Sequence, residues 1–270
     1  DENAYLFEIT QKSIEDSTVT VELASEVTYT GAEQKLTPLV KDSEANAELV
    51  SVSSGDVHKS FDITYSTSDF VNVGTITITI KGYGNYNGER TVSYNITKAE
   101  FTAGTFDSVE NITYDTKGHD VVPVFTFNSI TINAKISDDT DTDKNKFSRI
   151  TYKKYNSSGE GFDENFTGSP TTVGKYQIVV TAPNFEGDGT VDFYITAKAI
   201  NEGETITLAQ GFTLTPSTII DQVYTGSATK PQIESLVWSD QSATLASGTD
   251  FDITYENNTV VTDQAYMVIT

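Results

Sequence analysis

The densest group of side chains that could bind an ion is the acidic run at residues 138–145, which reads Asp-Asp-Thr-Asp-Thr-Asp-Lys-Asn. Oxygen ligands at alternating positions can surround a hard cation such as calcium. The ligands of such a site would be Asp139, Asp141, Asp143 and Asn145. The run lacks the turn glycine and the final bidentate acid of an EF-hand loop. A solvated surface loop is therefore the leading interpretation, and calcium binding is the alternative.

Aromatic rings form a second group of candidates, because an exposed ring can stack on a sugar. Trp238 is the only tryptophan of the chain, and Tyr83 and Tyr86 lie together in a glycine-rich stretch. The neighbours Leu236 and Val237 indicate instead a strand whose tryptophan packs in a core or at an edge. We favour packing for Trp238 and keep carbohydrate contact as the alternative for all three rings.

Catalytic chemistry has few candidate groups. The chain has no Cys, which excludes disulfides, thiolate metal sites and a cysteine nucleophile. Its two His residues, His58 and His119, lie in different parts of the chain and show no serine–histidine–acid pattern. The 39 Asp and Glu residues are too numerous to mark one pair for glycoside hydrolysis. We therefore predict no catalytic residues, no enzyme activity and no cofactor other than the calcium alternative.

The charge and hydropathy of the chain argue against two kinds of partner. Its 17 Lys and Arg against 39 Asp and Glu give a formal net charge of −22. This charge repels phosphate backbones and no basic patch offsets it, so we expect no nucleic-acid partner. No apolar run reaches the length of about 18 residues that a spanning helix needs, so we expect no membrane span in this segment.

Alternating apolar residues predict the strands that must hold these side chains. A period of two is the signature of a strand with one face on a core. Three such segments end in Ile-Thr, and three others have the same alternation. The six segments are residues 4–10, 91–97 and 190–196, and residues 73–80, 173–180 and 263–269.

Short motifs recur between these strands. Tyr-Thr-Gly at residues 29–31 returns at 224–226 and, more loosely, as Tyr-Asp-Thr at 114–116. Phe-Asp-Ile-Thr-Tyr at residues 61–65 returns at 251–255. Repeats of roughly 85–100 residues with about seven short strands each are typical of immunoglobulin-like sandwiches. The sequence therefore predicts an all-β chain of tandem immunoglobulin-like β-sandwich domains.

The closing strands set the predicted domain boundaries. Residues 11–97 form the first repeat, and residues 98–196 form a second repeat that carries the acidic insertion. Residues 197–270 form a third repeat without its closing strand. Residues 1–10 are either the closing strand of a preceding repeat or a donor strand.

These motifs resemble the immunoglobulin-like tandem repeats of bacterial cell-surface adhesins, including the MBG-like repeats. The residues that carry the resemblance are the Tyr-Thr-Gly openings with a following Pro, the strand and Tyr-x-Asn-Asn turn at 248–258, and the Gly-Tyr-Gly-Asn-Tyr-Asn-Gly hairpin at 82–88. Residues 98–196 depart from the pattern, since Ala182 and Pro183 replace the Gly-x-Gly of the hairpin. The resemblance implies a secreted or wall-associated setting and a stalk or adhesin role, without implying an activity.

The two ends of the sequence allow two interpretations. The chain is either a piece of a longer tandem array, or a subunit whose residues Tyr5, Phe7 and Ile9 fill the open groove of the third repeat in the next chain. The second interpretation is β-strand addition between chains. Such head-to-tail contacts do not close and would generate filaments.

We therefore expect a non-catalytic extracellular segment of a bacterial surface or secreted protein that acts as an adhesin or stalk. Its partner would be a host or cell-surface glycan or protein, and head-to-tail self-association is an alternative. Two other functions stay open at this point. One is a carbohydrate-binding module of a polysaccharide-using bacterium, and the other is a strand-exchanging subunit of a surface filament.

Overall fold

The computed structural model describes residues 5–49, 51, 60–200, 208, 212–215, 219–262 and 264–270. By contact density the chain divides into two compact units. Unit 1 comprises Asp1–Ser108, Val122–Thr151 and Ile178–Val191, and unit 2 comprises Val109–Val121, Tyr152–Gln177 and Asp192–Thr270. Residues 98–196 contribute to both units, so the boundaries expected from the sequence stay a prediction.

Nine strands between residues 12 and 97 form what we call the first sandwich. A four-stranded sheet has the order β3-β9-β7-β6, a three-stranded sheet has the order β2-β4-β5, and β1 pairs with β8. The strands are β1 (Lys12–Ser13), β2 (Val19–Glu22), β3 (Glu26–Thr28), β4 (Leu39–Asp42), β5 (Ala47–Glu48), β6 (Phe61–Tyr65), β7 (Gly74–Gly82), β8 (Tyr86–Asn87) and β9 (Glu89–Thr97).

The long strands of the first sandwich follow the alternation seen in the sequence. On β7, Ile76, Ile78 and Ile80 are each at most 1% exposed, and on β9 so are Tyr94 and Ile96. Removing an apolar side chain of this size from water contributes roughly 1.5–3 kcal/mol. Burial of one face thus explains why these segments form strands, and the prediction of strands at residues 73–80 and 91–97 is confirmed.

The edge of this sheet has a feature that matters for function. Strand β9 pairs antiparallel with β7, with Ile76 opposite Tyr94. On its other side β9 pairs in parallel with β3, with Val27 opposite Ile96. A strand from the start of the sandwich and its closing strand therefore run side by side in the same direction.

Nine strands between residues 99 and 196 repeat this arrangement and form the second sandwich. A four-stranded sheet has the order β12-β18-β16-β15, a three-stranded sheet has the order β11-β13-β14, and β10 pairs with β17. The strands are β10 (Ala99–Glu100), β11 (Thr105–Phe106), β12 (Ile112–Thr113), β13 (Phe125–Phe127), β14 (Ile130–Ile132), β15 (Arg149–Lys154), β16 (Gly174–Thr181), β17 (Phe185–Glu186) and β18 (Gly189–Thr196).

Five strands in unit 2 form the third sandwich as far as the structure describes it. The sheets have the orders β19-β20-β21 and β22-β23. Leu236, Phe251 and Ile269 are central to its core, at most 8% exposed. The strands are β19 (Phe212–Thr215), β20 (Ser235–Trp238), β21 (Ala243–Leu245), β22 (Ile253–Glu256) and β23 (Tyr266–Ile269).

One hydrogen bond recurs in all three sandwiches and places them in register. In each, a tyrosine of one strand (β6, β15 or β22) donates its hydroxyl to a backbone carbonyl. That carbonyl lies seven positions after the first residue of the Tyr-Thr-Gly or Tyr-Asp-Thr motif. The pairs are Tyr65 to Leu36 at 2.9 Å, Tyr152 to Val121 at 2.9 Å and Tyr255 to Pro231 at 2.7 Å. The chain is thus an all-β protein of tandem immunoglobulin-like β-sandwich domains.

Helical structure is confined, among the described residues, to two single 3-10 turns, Phe101–Ala103 and Ser239–Gln241. Nowhere in the described ranges is there a helix with the length and apolar character to cross a membrane.

Two local expectations have different outcomes. The glycine-rich stretch at 82–88 is a hairpin, closed by a bond from the amide of Gly82 to the carbonyl of Gly88 at 2.9 Å. Residues 5–10 carry no strand pairing in the described chain, so their role as the closing strand of a preceding repeat or as a donor strand stays a prediction. An alternating pattern makes a strand only when another strand supplies its hydrogen bonds.

Candidate functional site

The candidate site is the place where one sandwich packs on the next, and its first residue is Tyr29. Strand β3 runs parallel to β9 up to Thr28, and the amide of Tyr29 then donates to the carbonyl of Thr97 at 2.8 Å. This bond fixes Tyr29 beside the last residue of the closing strand. The chain enters the second sandwich directly after that residue, so Tyr29 lies at the transition.

Tyr29 is buried against side chains of the second sandwich. Its ring stacks on Phe127, with centroids 5.8 Å apart, and meets the edge of Phe185 at 5.6 Å. Its hydroxyl donates to Oδ1 of Asn145 at 3.3 Å. The side chain is only 1% exposed, and this burial raises the pKa of Tyr29. The phenol therefore stays a neutral hydrogen-bond donor.

The backbone next to Tyr29 also approaches the second sandwich closely. The φ angle of Gly31 is +80°, and a Cβ at this position would lie 2.7 Å from Cγ1 of Ile130. The side-chain Nδ2 of Asn128 donates to the carbonyl of Thr30 at 2.8 Å. Only glycine combines this conformation with such a contact.

A buried asparagine closes the other side of the same contact. Asn184 is 1% exposed. Its side chain accepts a bond from the amide of Val73 at 3.1 Å and donates to Oδ1 of Asn72 at 2.8 Å. Its backbone carbonyl accepts from the amide of Ala99 at 3.1 Å. These contacts and those of Tyr29 and Gly31 define the first junction, in which the buried polar atoms are paired as stability requires.

The first junction continues into the core of the second sandwich. Phe185, which touches Tyr29, also lies 5.0 Å from Phe101, 5.1 Å from Phe125 and 5.2 Å from Phe127 between ring centroids. Aromatic pairs at these distances contribute about 0.5–1.5 kcal/mol each beyond the area they bury. The junction is therefore an extension of a domain core rather than a flexible linker.

Unit 2 contains a second junction of similar design. The amide of Tyr114 donates to the carbonyl of Thr196 at 2.8 Å, as that of Tyr29 does to Thr97. The ring of Tyr114 lies 6.1 Å from that of Trp238, which stacks on Phe212 at 5.6 Å. Burial, with the nearby Asp250 and Asp115, raises the pKa of Tyr114. Lys198 lies with Nζ 4.1 Å from the Trp238 ring centroid, a cation–π distance.

Phe127 and Trp238 occupy the same position, the last residue of the middle strand in a three-stranded sheet. In the first sandwich this position is Asp42, which is 2% exposed. Its carboxylate accepts from Lys12 Nζ at 2.8 Å and from the hydroxyl of Tyr86 at 2.9 Å. The Lys12 bond, against burial, lowers the pKa of Asp42 to about 2. The first sandwich thus has an ionic network where the other two have a junction ring.

The acidic run does not gather its oxygens around a central point. Asp141 accepts from Lys146 Nζ at 2.8 Å, and the bond from this ammonium holds the pKa of Asp141 well below its usual range. Asp143 accepts from the amide of Asn145 at 2.9 Å, and Asn145 itself accepts from Tyr29. Asp139 is exposed. Within the described ranges, no three His, Asp or Glu side chains form a group that could hold a metal ion.

The rings proposed as sugar contacts have different environments. Trp238 is 2% exposed and Tyr86 is 9% exposed, so neither presents a ring face to a ligand, which corrects that expectation. The favoured interpretation of core packing therefore describes Trp238. Tyr83 is 53% exposed and stays a candidate.

The remaining candidates lie apart from one another. Nε2 of His119 is 2.9 Å from Oδ1 of Asp115, whereas Ser169 donates to Asp120, so no serine–histidine pair forms there. His58 lies outside the described residues. Tyr5, Phe7 and Ile9 are between 80% and 86% exposed, and no strand among the described residues pairs with them.

Sequence reasoning found the motifs of the junctions but missed their role. The Tyr-Thr-Gly repeat marked Tyr29 and Tyr224, and Asn145 was singled out only as a metal ligand. Nothing local distinguishes Asn184 from other turn asparagines. The one available signal lies directly before Asn184, where Ala182 and Pro183 replace the glycine-rich sequence of the first hairpin.

No family model matches this chain, and no curated protein matches it either. Several solved structures are similar at low identity. A titin tandem of two Ig domains is 11% identical, covers 67% of this chain and 97% of its own, and has a TM-score of 0.28. A three-Ig segment of titin, an E-to-A mutated variant, is 10% identical, with 93% and 96% coverage and a TM-score of 0.24. The extracellular cadherin domains 1–5 of protocadherin gamma B2 are 11% identical, with 69% and 41% coverage and a TM-score of 0.21. The fold assignment rests on the strand pairing described above.

Proposed function

We propose that this chain is a non-catalytic, load-bearing segment of a bacterial cell-surface protein, an adhesin or stalk built of immunoglobulin-like repeats. The observation that carries the proposal is the first junction, where Tyr29, Gly31 and Asn184 join two sandwiches through buried contacts. A segment that only linked two independent domains would not need to bury an aromatic ring and an asparagine there.

The strand pairing at the sheet edge supports a mechanical role. Strands β3 and β9 are parallel, with Glu26 opposite Asn95 and Thr28 opposite Thr97. Force that enters before β3 and leaves after β9 runs along both strands and loads all of their hydrogen bonds at once. The same pairing joins β12 to β18, with Ile112 opposite Ile195.

The charge supports a surface setting. A net charge of −22 keeps a protein soluble and discourages non-specific association. The extracellular location is tested by labelling intact cells of the source bacterium with antibodies against the chain, with permeabilised cells as the control. Labelling that requires permeabilised cells would contradict the proposed location.

The mechanical role is tested by single-molecule pulling. Because the chain has no Cys, handles can be attached at introduced cysteines. Pulling between positions 11 and 98 shears β3 against β9, whereas pulling between positions 28 and 97 opens the same pair one bond at a time. We expect a clearly higher unfolding force in the first geometry. Equal forces in both geometries would argue against a load-bearing design.

A second candidate function, glycan binding, is favoured by one surface of unit 2. The hydroxyl of Tyr155 donates to Asp192 at 3.2 Å, and Lys175 Nζ lies 2.7 Å from the same carboxylate. Tyr194, on the neighbouring strand, is 45% exposed. Polar groups beside rings suit a sugar. Retardation in gels containing soluble polysaccharides, lost in Tyr194→Ala and kept in the control Tyr266→Ala, whose ring is 41% exposed, would support this candidate.

A further inference from the structure

The tyrosine that opens the recurring motif has one structural position in all three sandwiches. The tyrosine hydrogen bond that recurs seven positions later already places Tyr29, Tyr114 and Tyr224 in register. The backbone gives independent support, because two positions after each of these residues it is left-handed. The φ angles are +80° at Gly31, +67° at Thr116 and +82° at Gly226.

In the first two cases the ring is covered by the same element of the next sandwich. Tyr29 stacks on Phe127 at 5.8 Å and Tyr114 lies 6.1 Å from Trp238. Both partners are the last residue of the middle strand in a three-stranded sheet. One half of a junction is therefore a motif tyrosine, and the other half is an aromatic residue at this strand end.

Within the described ranges, Tyr224 provides the tyrosine of a junction but has no aromatic residue covering it. Its side chain is 53% exposed, against 1% for Tyr29. A Cβ at Gly226 would meet nothing within 4 Å, whereas one at Gly31 meets Ile130. We call the surface formed by Tyr224, Gly226 and Val261 the Tyr224 face.

In the first sandwich the amide of Gln34, five positions after Tyr29, donates to the carbonyl of Phe70 at 2.8 Å, and the corresponding bond recurs in the third sandwich. The amide of Thr229 donates to the carbonyl of Asn258 at 2.8 Å, which ties the loop at 256–262 to the motif segment. In the first sandwich the corresponding loop holds Asn72 and Val73, which bind Asn184. Here it holds Val261, which is 83% exposed. Exposed apolar side chains beside an exposed ring are typical of a protein-binding surface.

We propose that the Tyr224 face docks a further immunoglobulin-like sandwich joined in tandem, which presents an aromatic ring at the position of Phe127 and Trp238. This inference rests on the proposed function and names the partner of a third junction. A second copy of this chain fits less well, because its first sandwich has Asp42 at that position, bonded to Lys12. Docking Tyr224 there would place its ring against Asp42, whose carboxylate is already bonded to Lys12 and Tyr86, and not against another aromatic ring.

The test adds such a sandwich to the full chain. The register of the facing strands equates Ile269 with Ile80, since Ile253 and Ile63 are their opposite residues. Residues 1–270 followed by residues 82–196 therefore supply a closing strand and then a copy of the second sandwich. Nitration of Tyr224, mapped by mass spectrometry, is compared between this extended chain and the 270-residue chain. Tyr29 is the buried reference within each molecule.

We expect nitration of Tyr224 to fall to the level of Tyr29 in the extended chain. The substitution Phe127→Ala in the appended copy should restore the nitration of Tyr224 to its level in the 270-residue chain. Equal nitration of Tyr224 in the extended and 270-residue chains would overturn the proposal. A second extension, with residues 82–270, repeats the test with the appended sandwich held by its own following neighbour. The pulling experiment on β3 and β9 does not involve Tyr224. A negative result there would therefore contradict the proposed mechanical function without contradicting the docking at the Tyr224 face.

Discussion

Tyr29 and Phe127 stack with their ring planes 16° apart and their centroids 5.8 Å apart, although they belong to successive sandwiches. Tyr29 is 1% exposed and Phe127 is 6% exposed, so neither ring is a surface contact. The stability of one sandwich is thereby coupled to the presence of the next. Three of the five predictions that follow, those for Tyr29, Asn184 and Tyr114, test this coupling.

Replacing Tyr29 should weaken the first junction strongly. Tyr29→Ala removes a buried ring and leaves a cavity, for which we expect a loss of about 3–5 kcal/mol in the free energy of unfolding. Tyr29→Phe keeps the ring and loses only the bond to Asn145, so we expect about 0.5–1.5 kcal/mol. Urea unfolding of both variants measures the two losses. Equal losses would show that the hydroxyl and not the ring holds the junction.

Thr116→Gly should stabilise the protein. Thr116 has a φ of +67°, a left-handed conformation that costs a β-branched residue energy and glycine none. We expect a gain of about 1 kcal/mol in thermal or chemical unfolding. The matched opposite change, Gly31→Ala, should destabilise, because Gly31 also has a left-handed φ and an added Cβ would lie 2.7 Å from Cγ1 of Ile130. Destabilisation by Thr116→Gly would contradict the equivalence of these two positions.

Asn184→Ala should loosen the junction at one identifiable amide. The substitution leaves the amide of Val73 without its acceptor and Asn72 without its donor. An unpaired buried group costs about 1–3 kcal/mol. Hydrogen exchange should accelerate at Val73 and stay unchanged at Thr79, which lies within the β7–β9 pairing. Uniform acceleration across β7 would instead indicate general destabilisation of the first sandwich.

Asp42 should make stability depend on pH in the acid range. Its pKa is lowered from 3.8 to about 2, mainly by the bond from Lys12. A carboxylate whose folded pKa is depressed contributes stability above its unfolded pKa and loses it as the pH falls through the folded pKa. The difference in unfolding free energy between the parent chain and Asp42→Asn should therefore shrink between about pH 4 and pH 2. A constant difference over this range would show that the ion pair contributes nothing.

The strands were predictable from the sequence because burial acts locally on each of them. Ile76, Ile78 and Ile80 point to one core, so the period of two in the sequence is the period of the strand. The same pattern at residues 5–10 has no strand partner among the described residues, because pairing depends on a neighbouring strand that the alternation itself does not reveal. Trp238 was assigned correctly to a strand because Leu236 and Val237 share the burial of that strand.

The junctions were not predictable because their partners are distant in sequence. The Tyr-Thr-Gly motif showed that Tyr29 recurs, but the ring that covers it, Phe127, belongs to another repeat. The sequence indicated that the acidic run is a solvated surface loop, with calcium binding as the alternative. In the structure Lys146 provides the positive charge for Asp141, and Asn145 accepts a hydrogen bond from the hydroxyl of Tyr29. Both outcomes depend on which residues fold against each other and not on their spacing.

The single tryptophan offers a direct test of the second junction. Trp238 is 2% exposed and lies between Phe212 and Tyr114. Its fluorescence should therefore be blue-shifted and poorly quenched by acrylamide in the folded chain. Tyr114→Ala should increase that quenching. It should also lower the free energy of unfolding by about 0.5–1.5 kcal/mol for the lost aromatic contact, in addition to the loss from its buried area. Tyr224→Ala is the matched control and should change neither, since its ring is exposed. Unchanged quenching in Tyr114→Ala would mean that the core of the third sandwich alone covers Trp238. The second junction would then contribute nothing to the burial of this ring.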